Sequence, residues 1–360
     1  MTETSLEKGR QLVEMARAAE RDGDPERSLA LFDDAIALLQ QQADAPFLAD
    51  VLRWKGTVYR EQGETEAAYQ CYKKSLVLAE RIGGASAKAH AYNCLAIVAQ
   101  RRGDLRDSEV HYTLAAELAA EAGDARLLGM IEQNRGVLMN TTGNFAAAEV
   151  RYFSSLSAFE QAGDEEAVSW VLNNIGILYT KLGQYQRAVE TLQRGLEIAE
   201  RRADGLVESV LTLNLAEAWA TSGQLDLADA LCRKSLEAAR RRNDHLTIAG
   251  ALKCRARIER ERGAFKQSIA TLRIGIFEAE GLDDRLLEAE MLRELGQTSR
   301  ALGQADEARL AWQEAADSFQ DVGAMQEAAE IRALLASLPG DSYRSSRSQS
   351  SEPPPPSLNP

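Results

Sequence analysis

Glycine returns along this 360-residue chain every forty residues, at 23, 63, 103, 143, 183, 223, 263 and 303. A period of this length marks stacked supersecondary units rather than one globular core. A second series of breaks runs midway between: Ala43-Asp44, Gly83-Gly84, Gly123-Asp124, Gly163-Asp164, Ala203-Asp204, Asn243-Asp244, Asp283-Asp284 and Gly323. Glycine or asparagine beyond a helix end takes the left-handed cap, and an aspartate beside it accepts orphan N–H groups of the next helix. The unit is therefore helix A, tight turn, helix B, tight turn. Each helix is expected to run roughly 16–18 residues, near 25 Å. Before position 339 the only prolines are Pro25 and Pro46, as an almost wholly helical chain requires.

Three registers repeat with the turns. Seven residues before each turn glycine, helix A carries Ala16, Gly56, Ala96, Gly136, Gly176, Ala216, Ala256 and Gly296. Helix B has two small sites, beginning at Ser28 and Ala35, and a knob between them: Phe32, Tyr72, Tyr112, Tyr152, Leu192, Cys232, Leu272 and Trp312. At i, i+4 and i+7 these sites share one helix face, and small residues there let two helices approach closely. Lys55, Arg135 and Arg255 break the apolar pattern of helix A, and Glu259 stands where other copies carry an aromatic. Their stems are expected to lie along apolar surface with the charge at the rim.

Small residue, aromatic three on, glycine turn, alanine, knob: the pattern resembles the tetratricopeptide repeat (TPR) family, most closely in LNNIGILYTKLGQYQRAVETLQRGLEIAE at 172–200. The common spacing of that family is about 34 residues. The forty-residue variety is similar to the Pins-type spindle-orientation adaptors, kinesin light chain and bacterial TPR sensor domains. The resemblance implies an all-α, right-handed α-solenoid of eight antiparallel helix pairs. The solenoid is expected over 1–338, closed by a capping helix at about 324–338 that turns Met325, Ala328, Ala329, Leu335 and Leu338 toward the last pair. From 339 to 360 the Ser/Pro-rich composition predicts a disordered tail.

In TPR proteins a second stripe of each A helix lines a concave groove, and the matching positions here are the candidate binding residues. Asn93, Gln133, Asn134, Asn140, Asn173, Asn174 and Asn214 form rows of amides beside Trp170 and Ile177. An amide donates and accepts, so such a row can pair with the main chain of an extended segment. The same Asn93, Asn134, Asn173, Asn174 and Asn214 can equally bond the neighbouring repeat and hold the stack. Arg53 and Arg60 make a small basic spot, and Lys253, Arg257, Arg260 and Arg293 a larger one. These suit an acidic segment or a carboxylate terminus, or form a solvated charged face.

Other classes are excluded by what the chain carries. With 42 Lys+Arg against 55 Asp+Glu the net charge is −13, contrary to nucleic-acid or anionic-membrane binding. No apolar run is long enough to span a bilayer, and the N-terminus does not read as a secretory signal. Cys71, Cys94, Cys232 and Cys254 form no CxxC pair and fit a cytoplasmic protein, with 71/94 and 232/254 placed to approach at B-to-A junctions. His90, His111 and His245 lack partners at metal-ligand spacing, and no nucleotide, zinc-protease or serine-hydrolase motif occurs. No metal, cofactor or catalysis is expected. The expected function is a non-enzymatic scaffold that holds an extended or helical, acidic segment of another protein. The alternative is a regulatory sensor whose superhelix responds to a peptide or small molecule and controls a kinase, phosphatase or transcription factor.

Overall fold

The computed structural model describes residues 5–40, 45–282 and 284–338, and among these the chain is helical throughout, with seventeen helices and no strand. They run in A/B pairs: α1 (Ser5–Arg21) and α2 (Pro25–Gln40), α3 (Ala45–Glu61) and α4 (Thr65–Ile82), α5 (Ala85–Arg101) and α6 (Leu105–Glu121), α7 (Ala125–Thr141) and α8 (Phe145–Ala162). Then follow α9 (Glu165–Lys181) and α10 (Tyr185–Arg201), α11 (Gly205–Thr221) and α12 (Leu225–Arg242), α13 (His245–Glu261) and α14 (Phe265–Gly281), α15 (Arg285–Ala301) and α16 (Ala305–Asp321). A last helix, α17 (Met325–Ala336), packs on α16. The chain divides into two compact units, residues 1–207 and 208–360.

The turns close as their chemistry demands. After α9, Gly183 sits in the left-handed region (φ 71°). Its N–H reaches the Thr180 carbonyl at 3.1 Å and the next N–H, of Gln184, the Tyr179 carbonyl at 2.9 Å, which satisfies two orphan acceptors. At B-to-A turns Asp124, Asp164, Asp204, Asp244 and Asp284 each accept the N–H three residues on, at 3.0 to 3.1 Å. Gly84, with no carboxylate, makes no such cap. Ala203 and Asn243 occupy the left-handed position in place of glycine (φ 54° and 53°), and only alanine is strained there. The breaks at Ala43-Asp44 and Asp283, and the tail from 339, lie outside the described residues.

Inside each pair the small site of helix A meets the knob of helix B. A Cβ built on Gly136 would lie 2.5 Å from the Tyr152 ring, on Gly176 2.4 Å from Leu192, and on Gly296 2.4 Å from Trp312. Tyr72, Tyr112, Tyr152, Leu192 and Trp312 are all fully buried. The small serines of helix B donate to carbonyls of their own A helix: Ser108 to Ala96 at 2.9 Å, Ser155 to Gly129 at 2.7 Å, Ser235 to Ser209 at 2.8 Å. Successive A helices also touch, α3 with α5 and α5 with α7 in the first unit, α13 with α15 in the second.

Two expectations need correction. The basic residues of helix A do not leave their charges to solvent alone: Arg255 and the Lys55–Asp33 pair lie at the rim, Arg135 is buried, and each has a carboxylate partner. Lys55 donates to Asp33 at 2.5 Å, Arg135 to Glu132 and Glu109 at 2.8 and 2.6 Å, and Arg255 to Glu259 at 2.9 Å, so each is neutralised within the fold. Helices α3, α7 and α13 run unbroken through these sites. The end helix turns only partly as expected: Ala328, Leu335 and Leu338 pack on the cluster of Trp312 and Phe319, together with Ile331, but Met325 is 61% exposed and Ala329 is exposed.

Gly136→Val is expected to lower unfolding stability by roughly 3 kcal/mol despite glycine's poor helix propensity, because the Tyr152 ring has nowhere to go. Ala203→Gly is expected to raise it by about 1 kcal/mol by relieving the left-handed alanine. Chemical denaturation of both variants followed by circular dichroism checks the opposite signs.

Candidate binding face

In the first unit the candidate residues sit on α3, α5, α7 and α9. Asn93 on α5 is only 4% exposed, and its side-chain oxygen accepts from the Asn134 amide on α7 at 3.2 Å. This pair therefore ties adjacent A helices, through the Asn93 side chain rather than through a backbone group. Asn173 is buried, while Gln133, Asn174, Trp170 and Ile177 are half-buried. Asn140 lies against the Tyr152 hydroxyl, and its own carbonyl oxygen is buried with no hydrogen-bond partner. Burial pushes the Tyr152 phenol well above its usual range. Two apolar side chains, Met130 and Val137, are each 38% exposed on α7. The face is thus a mixture of amides and short apolar groups.

The small basic spot on α3 is already engaged. Arg53 donates to Asp50 at 2.9 Å and lies over the Trp54 ring, 5.6 Å from its centroid. Arg60 pairs with Glu61 at 3.3 Å, and its carbonyl receives Arg101 from α5 at 2.7 Å.

In the second unit the expected basic groove is a ladder of ion pairs between successive A helices. Lys253 on α13 lies 2.5 Å from Glu290 on α15 and 3.4 Å from Glu217 on α11. Burial alone would lower the Lys253 ammonium, but the two carboxylates outweigh it and hold it above the ordinary lysine range. Arg257 donates to Thr221 at 3.0 Å and faces Glu294 at 3.5 Å. Arg260 reaches Glu294 at 3.0 Å and also bonds Gln297. Arg293 lies over the Phe319 ring at 5.7 Å. Asn214, on α11, is half-buried. Three cations that look unopposed in one repeat, Lys253, Arg257 and Arg260, meet Glu217, Glu290 and Glu294, three carboxylates that come from the helices before and after. Those acids are the functional neighbours that sequence reasoning missed. Their signal is a spacing of 34 to 37 residues from the cations they face.

Among the described residues no His, Cys, Asp and Glu side chains are grouped to hold a metal ion, and no helix is long and apolar enough to cross a membrane. All four cysteines are free and buried. The Cys254 thiol is hydrogen-bonded to that of Cys232, which itself donates to the Ala251 carbonyl at 3.2 Å, so this pair does meet at a B-to-A junction.

Glu294→Gln is expected to destabilise the chain by roughly 3 kcal/mol, since it strips the shared carboxylate from Arg257 and Arg260 in a mostly buried setting. Denaturation midpoints at low and high salt measure the loss. A free basic groove would instead show a gain on losing that acid.

No curated protein matches the chain. The tetratricopeptide repeat family model matches residues 47–121 and 133–201. Among solved structures the chain is similar to the apo form of the quorum sensor NprR from B. thuringiensis, at TM-score 0.62 and 17% identity over 86% of this chain and 87% of that one. It is similar to a tetratricopeptide repeat protein from Parabacteroides merdae, at TM-score 0.55 and 18% identity over 78% and 98%. A Rap protein complexed with Competence and Sporulation Factor follows at TM-score 0.53 and 14% identity over 92% and 95%. Identities this low speak for the fold alone. Matched segments, turn geometry and the small-residue/knob contact agree: residues 47–121 and 133–201 are tetratricopeptide repeats, and the described helix pairs beyond them keep the same fold.

Proposed function

We propose that the chain is a non-enzymatic protein-interaction module, and that the face of α5, α7 and α9 in the first unit holds an extended or helical segment of a partner protein. The observation that carries this reading is the uncharged set of half-buried Gln133, Asn174, Trp170 and Ile177 with exposed Val137, next to an Asn140 side-chain oxygen that lacks a partner. Amides offer both halves of a main-chain hydrogen bond, and the Trp and aliphatic groups supply the apolar area that makes such a contact favourable. The helices are already ordered, so binding costs mainly the ordering of the ligand.

An acidic partner is not part of this proposal, because Lys253, Arg257 and Arg260 already have carboxylates. The four buried, unpaired cysteines support a cytoplasmic location. A second reading, a regulatory sensor, is supported by the use of the same fold in a quorum sensor and in a Rap protein complexed with Competence and Sporulation Factor.

A random linear-peptide library selected on the immobilised full chain tests the proposal. Enriched peptides are expected to bind Gln133→Ala with Asn174→Ala about tenfold more weakly or worse, as expected for two lost hydrogen bonds, while the melting temperature holds. Failure of any peptide to enrich, or unchanged affinity for the double variant, overturns it.

A further inference from the structure

A second place in the first unit has the form of a ligand site. A cavity of about 550 Å³ opens between α2, α3 and α4. It is formed by different residues of α3 from those of the small basic spot: Leu48, Leu52 and Lys55, rather than Arg53 and Arg60. Ile36 of α2 and Leu78 of α4 complete an aliphatic wall, and Val77, 46% exposed, stands at the mouth. Cys71 adds a neutral surface to the lining, since burial pushes its thiol up.

The charge is at the rim, and it is unbalanced. Asp33 is taken up by Lys55 at 2.5 Å. Lys73 and Lys74, successive residues of α4, are exposed, and neither is in an ion pair among the described residues; Lys73 leans on the Tyr69 ring at 5.4 Å, and its charge is felt by Glu66 on the same helix. Three lysines against one aspartate line this trough, in a chain whose net charge is −13.

The next troughs along the stack show what closes such a space. Forty residues after Leu52 and Cys71 stand Tyr92 and His111, whose rings lie 5.7 Å apart. The cavity left there, about 360 Å³, is lined by Glu80, Glu117 and Glu121 against Lys88. One repeat further, Glu132 and Arg151 hold the same two positions and pair at 3.3 Å beside Arg135. Only in the first of these three does an aliphatic residue face a thiol, so that nothing fills the centre.

We propose that this trough binds an amphiphilic organic anion, a carboxylate on an aliphatic chain, with the headgroup at Lys73 and Lys74 and the chain against Ile36, Leu48, Leu52 and Leu78. The volume lies within the range of small-molecule sites, and the wall offers the chain aliphatic contact. Lysine ammoniums are compact point charges suited to a carboxylate, and no arginine fork lines the rim to select a phosphate.

Decanoate, titrated calorimetrically into the full chain below its micelle concentration, is the probe. One saturable site is expected, with decanol binding at least about tenfold more weakly, the loss associated with a hydrogen bond to a charged group. Lys73→Glu with Lys74→Glu is expected to weaken decanoate by a similar factor or more, and Leu52→Tyr, which places here the residue type found one repeat on, to abolish it. Gln133→Ala with Asn174→Ala is expected to leave decanoate binding unchanged, which separates this site from the amide face. The lysine variant alters only exposed side chains, so it carries the test even if Leu52→Tyr fails to fold. Absence of saturation, equal binding of decanol, or an affinity indifferent to the lysine variant overturns the proposal.

Discussion

Everything in this molecule hangs on one contact, repeated in every pair: a glycine or alanine of helix A pressed against a bulky side chain of helix B. The contact is close enough that Gly56, Gly136, Gly176 and Gly296 have no room for a methyl group beside Tyr72, Tyr152, Leu192 and Trp312. A knob that fits only one hole sets both the distance and the axial register of the two helices. Once register is set, Ser108, Ser155 and Ser235 of the B helices fall opposite carbonyls of their A helices, and these buried hydroxyls acquire acceptors, though Ser28 does not. The turn glycines do not hold the pair together; they permit a reversal short enough for the knob to arrive in place.

Stacking then creates a second set of neighbours that no single pair contains. Residues 36 to 38 apart meet between successive repeats, and charge fills many of these meetings: Arg262 with Asp226 at 2.7 Å, Arg201 with Glu165 at 3.0 Å, Arg126 with Asp164 at 2.6 Å. Exposed pairs of this kind contribute about 0–1 kcal/mol each. Those of Lys253 and Arg260 are different in kind, because their side chains are largely covered and the facing Glu294 is buried. Breaking one of these leaves a charge stranded, so they fix which helix faces which more firmly than they add to stability.

Period, turn chemistry and the knob-and-hole register are local properties, and each could be read from the residues alone. What escaped reading depends on the rotation between pairs. Glu290 and Glu294 sit on the helix after Lys253 and Arg257, so a count made repeat by repeat shows the cations in a column and hides their acids. Arg135 fails for a related reason: its partners Glu109 and Glu132 come from α6 and from its own helix, and only the folded pair brings them together. The Asn93–Asn134 bond was half legible, since the stack-holding role was one of two readings but the partner atom was a side chain. The phase of α17 was misjudged at Met325 because a single short helix has no sister copies against which to check its face.

The two kinds of A-helix surface differ in what an incoming chain would have to displace. On α13 and α15 it would have to separate Lys253 from Glu290 or Arg260 from Glu294, and leave mostly buried charges unpaired at several kcal/mol each. On the amide face of α5, α7 and α9 the candidate side chains are neutral, and the Asn93–Asn134 pair found there contributes about 1 kcal/mol. An extended backbone can return that bond in kind, since each peptide group donates and accepts as an amide does. The same argument holds for the aliphatic trough at α2 to α4, where Lys55 is already satisfied and, among the described residues, Lys73 and Lys74 are in no ion pair. At both proposed sites an incoming group would separate no charge already paired within the stack.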